Sequence, residues 1–472
     1  MRVRYSLALV FIFCFWLSCI NNSTAQNRDT VEISLFQFIE KGLQQSGKQK
    51  LNKTEVELAE NKIVKARSNK YLPDAKLETR HGLVPAVESD SILPNGNPLP
   101  DDQLYLDPDL DNDFNDLNLF TQGEITAVQP IFGWGAIDKA IEAAKSGTEA
   151  AELNFSAEES KLKIQLFELY ESYVLSLELE RLVDRAEEQL ESVDKKFTEM
   201  QESGDENLDP ADFFKFKIFK TEFQTKIAEV KENTRFVKNT WNWILQSGDN
   251  KIEYIPAKKF LDPFENEIQS LPFYRQKALS ARYELNAIDA TMEAAKFGLS
   301  ARRAQNLPML FVGLQFKGAY SPGRPRQDNP FIQSNGTFIS GGFGLGIRQN
   351  LNFFSIKSDI QKSSIEYKKT KYLKDAAVDA IVLELNNQYK KTNIAKNKLN
   401  NSQEALRISK KWERQEQVDY DLGFGDPKNL LDAIKTKLEL EVKVKRNTFD
   451  YNLNMAKLFK TSGLSLDSLM IN

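Results

Sequence analysis

The stretch QPIFGWGAID (residues 129–138) marks a change of pattern in the chain. Before it, apolar and polar residues alternate as in a β-strand; after it, a helical pattern runs from about residue 136 to about residue 203. We expect Pro130, Gly133 and Gly135 to relax the backbone where strand turns into helix. A helix of that length would extend roughly 100 Å, which is more than a single globular core requires.

The composition excludes several classes of protein. Of 472 residues, 41% are hydrophobic and 28% are charged, without the repeated apolar runs of a polytopic helical membrane protein. The net charge of −4 leaves no excess of basic residues for binding nucleic acid. One histidine (His81), no zinc-type Cys/His cluster and no phosphate-binding loop argue against an enzyme, so we expect no cofactor and no bound metal. The glycine-rich GGFGLG (residues 341–346) is interpreted as part of a strand.

The N-terminus has the order of a secretory signal. Arg2 and Arg4 precede an apolar run over residues 7–20, and small residues follow. We therefore predict a signal peptide over residues 1–25, cleaved after Ala25. The alternative is cleavage before Cys19 and attachment of lipid to that cysteine. With cleavage after Ala25 the mature chain has no cysteine, so its stability must come from packing and oligomerisation.

The chain contains an internal repeat. Five positions are identical at a constant offset of 235, among them the Leu-Pro pair at 72–73 and 307–308. The repeat predicts a first half over residues 26–247, a linker over 248–270 and a second half over 271–472. Each half reads as helix, strand, polar loop, strand, long helix and shorter helix. The predicted ranges are 32–70, 75–82, 124–132, 136–203 and 210–247 in the first half, and 271–306, 310–319, 338–353, 355–422 and 427–462 in the second.

The two long helical tracts carry the rhythm of a coiled coil. In the first, apolar residues from Leu182 to Met200 are spaced by four, four, three, four and three positions. Each tract ends in a turn that contains Gly and then Asp-Pro. Gly suits a helix C-cap, Asp an N-cap and Pro the first helical position, which predicts two sharp helical hairpins. The turn residues are Gly204, Asp209 and Pro210 in the first half, and Gly423, Asp426 and Pro427 in the second.

The predicted strands form two pairs around irregular polar segments, residues 84–120 and 320–337. In the last strand Ile339, Phe343, Leu345 and Ile347 are spaced to share one face. Four strands are too few to close a barrel, but three chains could close a ring without edges, the condition for β-structure in lipid. The alternative is that the strand pairs cap a soluble coiled-coil rod. The acidic stretch at 107–116 is interpreted as a surface loop, since it lacks the Gly and Glu of a calcium loop.

These elements together resemble the TolC-type outer membrane efflux protein family. The resemblance lies in YLPDAKLETRHG and NLPMLFVGLQFKG for the first strands, and in VQPIFGWGAIDKAIEAAKSG and RQNLNFFSIKSDIQKS for the second. ALSARYELNAIDATMEAAK and DLGFGDPKNLLDAIKTKLELE add a leading helix and a hairpin end. No single motif is highly specific, but the order covers nearly all of the mature chain.

The resemblance implies a mixed α+β membrane protein that acts as a homotrimer in the cell outer membrane. Each chain would supply four transmembrane strands to a twelve-stranded barrel, and helical hairpins to a tunnel in the periplasm. It implies a passive exit duct for efflux or type I secretion, working with a periplasmic adaptor and an inner-membrane pump. The alternative function is a periplasmic coiled-coil adaptor or scaffold without a barrel.

The resemblance also implies an acidic entrance just after the hairpin turns. Aligned on LLDA, Asp432 and Asn429 occupy two such positions, and Asp212 is the first-half equivalent of Asn429. Three-fold symmetry would turn each carboxylate into a ring that selects cations. The alternative is that Asp212 and Asp432 only favour helix N-termini through the helix dipole.

Overall fold

The computed structural model describes residues 29–88, 111–203, 210–246, 252–322, 324, 336–422 and 424–470. The chain runs strand, two helices, two strands and two long helices, then a strand, two helices, two strands and two long helices, with one final turn of helix. In order these are β1 (Asp29–Ile33), α1 (Leu35–Gln45), α2 (Gly47–Tyr71), β2 (Asp74–Glu88), β3 (Asp111–Phe132), α3 (Ala136–Ser203), α4 (Pro210–Ile244), β4 (Ile252–Pro256), α5 (Leu271–Ala281), α6 (Tyr283–Gln305), β5 (Met309–Tyr320), β6 (Phe338–Arg348), α7 (Phe353–Asp421), α8 (Pro427–Thr461) and α9 (Asp467–Met470). Cys19, Gly204, Asp209 and Gly423 lie outside the described residues.

The chain divides into two compact units. The helical unit comprises the described parts of Met1–Asn52, Ser156–Arg282 and Asp379–Asn472. The sheet unit comprises those of Lys53–Phe155 and Tyr283–Val378. Both units draw on both halves of the sequence repeat, because each half passes through each unit.

The leading helix of each half is interrupted, which the sequence did not predict. A single extended residue ends α1 at Ser46 (φ −62°, ψ 119°) and α5 at Arg282 (φ −70°, ψ 125°). The first predicted helix, 32–70, is therefore β1, α1 and α2, and the second, 271–306, is α5 and α6. At Arg282 the chain approaches Gly463 so closely that a Cβ added to Gly463 would lie 3.0 Å from the Arg282 nitrogen. The break is thus a packing feature, because only glycine leaves room for it.

The predicted linker also contains regular structure. Residues Ile252–Pro256 form β4, which pairs in parallel with β1 at the start of the described chain. Next to this pair Phe38 stacks on Trp241 with ring centroids 4.2 Å apart, and Tyr173 meets the same indole edge-on at 4.8 Å. Burial raises the pKa of Tyr173 to about 12. This aromatic cluster is the centre of the main core of the helical unit.

The sheet unit contains a four-stranded antiparallel sheet in the order β2-β3-β5-β6. The strands of each half pair with one another, and β3 with β5 joins the halves. The first pair is longer than predicted, since residues 83–88 and 111–123 belong to β2 and β3 instead of to a loop. The described part of the acidic stretch, residues 111–116, is therefore strand. Conversely, β6 ends at Arg348, not at residue 353, where α7 begins.

The long helices match the expected bounds closely. The helix α3 covers the 68 residues that were predicted, and α7 begins and ends within two residues of its predicted range. Phe197 of α3 meets Phe216 of α4 edge-on at 5.1 Å, so the first hairpin closes on an aromatic contact. None of the helices in the described part of the chain combines the length and the apolar character needed to cross a membrane.

Candidate functional site: a two-faced sheet and two hairpin ends

One face of the sheet is apolar and exposed. In register, Leu314 of β5 lies opposite Phe343 of β6, and Val312 lies opposite Leu345, so alternate residues of both strands share this face. The pairing of Ile125 with Phe316 and of Leu77 with Ile125 extends the face across β3 and β2. Phe343 is 87% exposed. The exposed apolar residues of this face include Leu77, Leu83, Leu117, Leu119, Ile125, Val312, Leu314, Phe316, Ile339, Phe343, Leu345 and Ile347.

The opposite face of the sheet is polar. Glu124 of β3 lies opposite Lys317 of β5 and accepts a hydrogen bond of 2.6 Å from the side chain of Gln315. Glu78 and Arg80 form an ion pair of 3.7 Å on β2. The sheet therefore exposes apolar side chains on one face and ionic side chains on the other. Two-faced strands with exposed apolar side chains are typical of β-structure in contact with lipid.

GGFGLG lies within β6, as predicted; Gly342, Gly344 and Gly346 face the polar side, and Gly341 lies opposite Phe316 on the apolar face. At Gly346 a Cβ would lie 2.5 Å from the ring of Phe311, so this glycine makes room for an aromatic side chain on the polar face. The guanidinium of Arg348 lies 4.9 Å from the same ring. His81 lies on the apolar side of β2, with its Nδ1 3.3 Å from the Thr121 hydroxyl, and belongs to no group of metal-binding side chains within the described part of the chain.

The junction between β3 and α3 holds a strained turn. Trp134 (φ 55°) and Gly135 (φ 75°) both adopt left-handed backbone conformations. Gly133, the other glycine of this junction, does not have a positive φ. A hydrogen bond offsets the strain at Trp134: its indole Nε1 donates to the carbonyl of Pro308 at 2.9 Å. Lys70 and Asp138, 2.7 Å apart, join the end of α2 to the first turn of α3, and the hydrogen bond from Lys70 to Asp138 raises the pKa of Lys70.

The second hairpin end is well defined. The backbone N–H groups of Phe424 and Gly425 both donate to the carbonyl of Asp419, and the side chain of Asp426 caps α8 by accepting from the Lys428 N–H at 2.9 Å. Pro427 is the first residue of α8. A Cβ at Gly425 would lie 2.5 Å from the Tyr420 nitrogen, so the turn requires glycine there. Sequence reasoning missed Gly425, although a glycine before Asp-Pro is the signal that could have found it.

The three candidate entrance residues differ in their surroundings. Asp212 lies in the first turn of α4, 14% exposed, and pairs with Lys215 at 2.9 Å. Asn429 and Asp432 are exposed on the first turns of α8, while Leu430 and Leu431 between them pack into the helical unit. Asp432 therefore presents its carboxylate to solvent, and Asp212 already has a cation beside it.

Each hairpin also carries an ion pair between its two helices. Asp194 of α3 binds Lys217 and Lys220 of α4 at 2.5 and 2.7 Å, and Glu413 of α7 binds Lys437 of α8 at 2.7 Å. Partial desolvation favours the protonated form of Asp194, but the hydrogen bonds from the two lysines outweigh it and lower the pKa of this carboxyl. The same device thus recurs at equivalent places in both halves of the repeat.

Comparison with known proteins relates the chain to solved structures. No protein-family model and no curated protein matches it in sequence. The outer membrane channel CmeC of Campylobacter jejuni matches with a TM-score of 0.69 and 15% identity, over 91% of this chain and 85% of that one. The outer membrane protein VceC of Vibrio cholerae matches at 0.65 and 14%, over 91% and 96%. The outer membrane channel MtrE of Neisseria gonorrhoeae matches at 0.64 and 15%, over 92% and 89%.

The agreement in fold spans more than nine-tenths of the chain, with both halves of the repeat included. The matched region includes the four-stranded sheet and the two long helices, α3 of 68 residues and α7 of 69 residues. The chain therefore has the fold of the TolC-type outer membrane channels.

Proposed function

We propose that the protein is a trimeric exit duct in the cell outer membrane. The observation that carries this proposal is the sheet, which exposes leucine, isoleucine and phenylalanine on one face and ionic side chains on the other. In lipid the apolar face is satisfied by acyl chains, and the polar face lines a water-filled lumen. The signal peptide predicted over residues 1–25 supports export, and lipid on Cys19 would be a second anchor.

A trimer would also satisfy the edges of the sheet. Strands β2 and β6 are its two edge strands, and each pairs with one neighbour among the residues that the structure describes. Unpaired edges are unfavourable in a membrane. Three copies of four strands would make a closed barrel of twelve. Exposed apolar residues along α7, such as Ile365, Leu383 and Ile408, would likewise be covered by neighbouring helices in a tunnel.

The duct itself would supply no energy. We infer that the hairpin ends dock a periplasmic adaptor and an inner-membrane pump, for drug efflux or type I secretion. Phe424, 87% exposed at the second turn, is a ready contact for such a partner. At the same end Asp212, Asn429 and Asp432 would approach their symmetry mates around an entrance.

A pair of neighbouring substitutions tests the proposal. Leu314 lies on the apolar face and Gln315 on the polar face, where it already bonds Glu124. We expect Leu314→Lys to prevent stable membrane assembly, because lysine on the lipid face costs up to roughly 2–4 kcal/mol per strand at mid-bilayer. Gln315→Lys should assemble normally. The measurement is fractionation of membranes followed by chemical cross-linking of the detergent extract.

The proposal is wrong if the protein is a soluble monomer in the periplasm and Leu314→Lys fractionates in the same way as Gln315→Lys. That result would favour the alternative, a coiled-coil adaptor or scaffold. The proposal instead requires a cross-linked trimer in the outer membrane fraction, and single-channel conductance when that trimer is placed in a planar bilayer.

The entrance has its own test. We expect Asp432→Asn to relieve block of the channel by trivalent cations more strongly than Asp212→Asn, because Lys215 already neutralises Asp212. Equal block in the parent and both variants would mean that these carboxylates serve only their helix N-termini.

A further inference from the structure

Two tryptophans of the segment WNW, residues 241–243, have opposite environments. Trp241 is fully buried in the aromatic core, whereas Trp243, near the end of α4, is 79% exposed. An exposed indole offers a flat apolar surface on which a ligand can stack. Phe236, 69% exposed, lies seven residues earlier and therefore on the same face of α4. The two rings are spaced by about 10.5 Å along the helix axis.

Trp243 borders a groove in the helical unit. The groove has a volume of about 1100 Å³, and its floor is formed by Leu162 and Leu166 of α3. This volume is slightly larger than the roughly 300–1,000 Å³ of small-molecule sites, and suits a segment of a polymer. Four carboxamides line the groove, those of Gln45, Asn239, Asn242 and Gln246. A carboxamide can both donate and accept hydrogen bonds, and the amide nitrogen of Gln45 already donates to the carbonyls of Ile244 and Leu245.

The rim of the groove is basic. Lys48 and Lys50, at the start of α2, both line it. Lys48 pairs with Glu158 at 2.6 Å. Lys50 is exposed and enters no ion pair with any residue that the structure describes. Lys50 therefore leaves one unpaired positive charge at the edge of the groove, whose other polar side chains are the ion-paired Lys48 and neutral groups.

We propose that this groove binds a strand of N-acetylated amino sugars that bear carboxylates, the chemistry of peptidoglycan. The flat apolar faces of pyranose rings stack on exposed indole and phenyl rings, and the carboxamides match N-acetyl and hydroxyl groups. The spacing of Phe236 and Trp243 is close to the length of one disaccharide. Lys50 would meet a carboxylate of the lactyl or peptide substituent. The proposal rests on the proposed duct, which places the helical unit in the periplasm.

Sedimentation with insoluble peptidoglycan sacculi tests this site in the full-length, detergent-solubilised protein. We expect Trp243→Ala to weaken binding roughly tenfold and Phe236→Ala to weaken it less. The matched control is Phe214→Ala, which removes an exposed aromatic side chain from the other end of α4, whereas Phe236 lies one turn before Asn239 at the edge of the groove. If Trp243→Ala binds sacculi as well as Phe214→Ala does, the proposal is wrong.

Soluble probes separate the stacking contact from the charge. Lys50→Gln should weaken binding of a soluble muropeptide severalfold and leave binding of a neutral N-acetylglucosamine tetramer unchanged. Equal loss for both probes would overturn the role of Lys50. Acrylamide quenching of tryptophan fluorescence gives a further test. If the parent and Trp243→Phe are quenched equally, the indole of Trp243 is covered in the assembled protein and the proposed site is wrong.

These results are independent of the test of the duct. A soluble protein whose sacculus binding still depends on Trp243 would reject the proposed function and keep the groove. A conducting trimer that does not bind sacculi would keep the function and reject the groove.

Discussion

The two junctions where a sheet strand passes into a long helix solve one geometrical problem with different chemistry. The first, QPIFGWGAID, turns through left-handed backbone at Trp134 and Gly135. The second, RQNLNFFSIKS, contains neither proline nor glycine and uses asparagine side chains. There the Asn350 side chain accepts from the Asn352 N–H at 2.9 Å, and the Asn352 side chain accepts from the Ser355 N–H at 3.3 Å. The difference teaches that the position of the junction in the repeat matters more than its residues.

The first junction relies on backbone conformation, so Gly135→Ala should have the largest effect. A Cβ at this position would meet no atom within 4 Å, and strain at φ 75° would be the whole cost. We expect a loss of about 1–2 kcal/mol in the free energy of unfolding, measured by denaturant titration in detergent. Gly133→Ala is the control, since its φ is not positive. Equal losses in both variants would mean that the left-handed turn is not what the junction requires.

The second junction relies on a helix cap, so Asn352→Ala should cost about 1 kcal/mol in the same titration. Asn352→Asp keeps the acceptor oxygen and should restore most of that loss. If Asn352→Asp is no more stable than Asn352→Ala, the side chain of Asn352 does not act as a helix cap at this junction.

The tryptophan of the first junction should contribute less. Trp134→Phe keeps a ring beside Phe132, whose centroid lies 5.1 Å from the indole, but removes the hydrogen bond to the Pro308 carbonyl. Because Trp134 is half exposed, we expect a loss of about 0.5–1 kcal/mol. A loss as large as that of Gly135→Ala would shift the importance of the junction from its backbone to this contact.

The ion pair at the first junction should have the smallest effect, and its pH dependence identifies it. Asp138 raises the pKa of Lys70 above the usual 10.5, so the pair contributes its full stability below that value. The contribution is lost as pH rises through the raised pKa. We therefore expect Lys70→Met to be slightly less stable than the parent at neutral pH, with the difference fading as pH rises through the raised pKa of Lys70. If the difference persists above that pKa, the lysine stem stabilises the junction by packing and not by its charge.

The long helices and their ends could be predicted because their signals are local. The spacing of apolar residues from Leu182 to Met200 and the Asp-Pro at 426–427 depend on nothing outside their own segments. The alternation in β6 was likewise enough to place Ile339, Phe343, Leu345 and Ile347 on one face. The breaks at Ser46 and Arg282 could not be predicted in this way. Each is one extended residue in a continuous helical pattern, and the break at Arg282 depends on the approach of Gly463 from a distant part of the chain.

The candidate site follows the same division. Pattern and repeat indicated Asp212, Asn429 and Asp432, but only the contact with Lys215 distinguishes the paired Asp212 from the exposed Asp432. The groove beside Trp243 had no sequence signal, because four separate elements supply its walls. WNW reads as three residues of one helix, and nothing in it distinguishes the core indole from the exposed one.

By itself the sequence determined the duplicated order of elements, the lengths of the four hairpin helices and the alternation of the strands, because periodicity and caps act over a few residues. The tertiary structure alone decided the strand register that gathers the exposed apolar residues on one face, the pairing of β1 with β4, and the separation of Trp241 from Trp243. Those features depend on contacts between segments that are far apart in the chain, and burial is decided only when those segments meet.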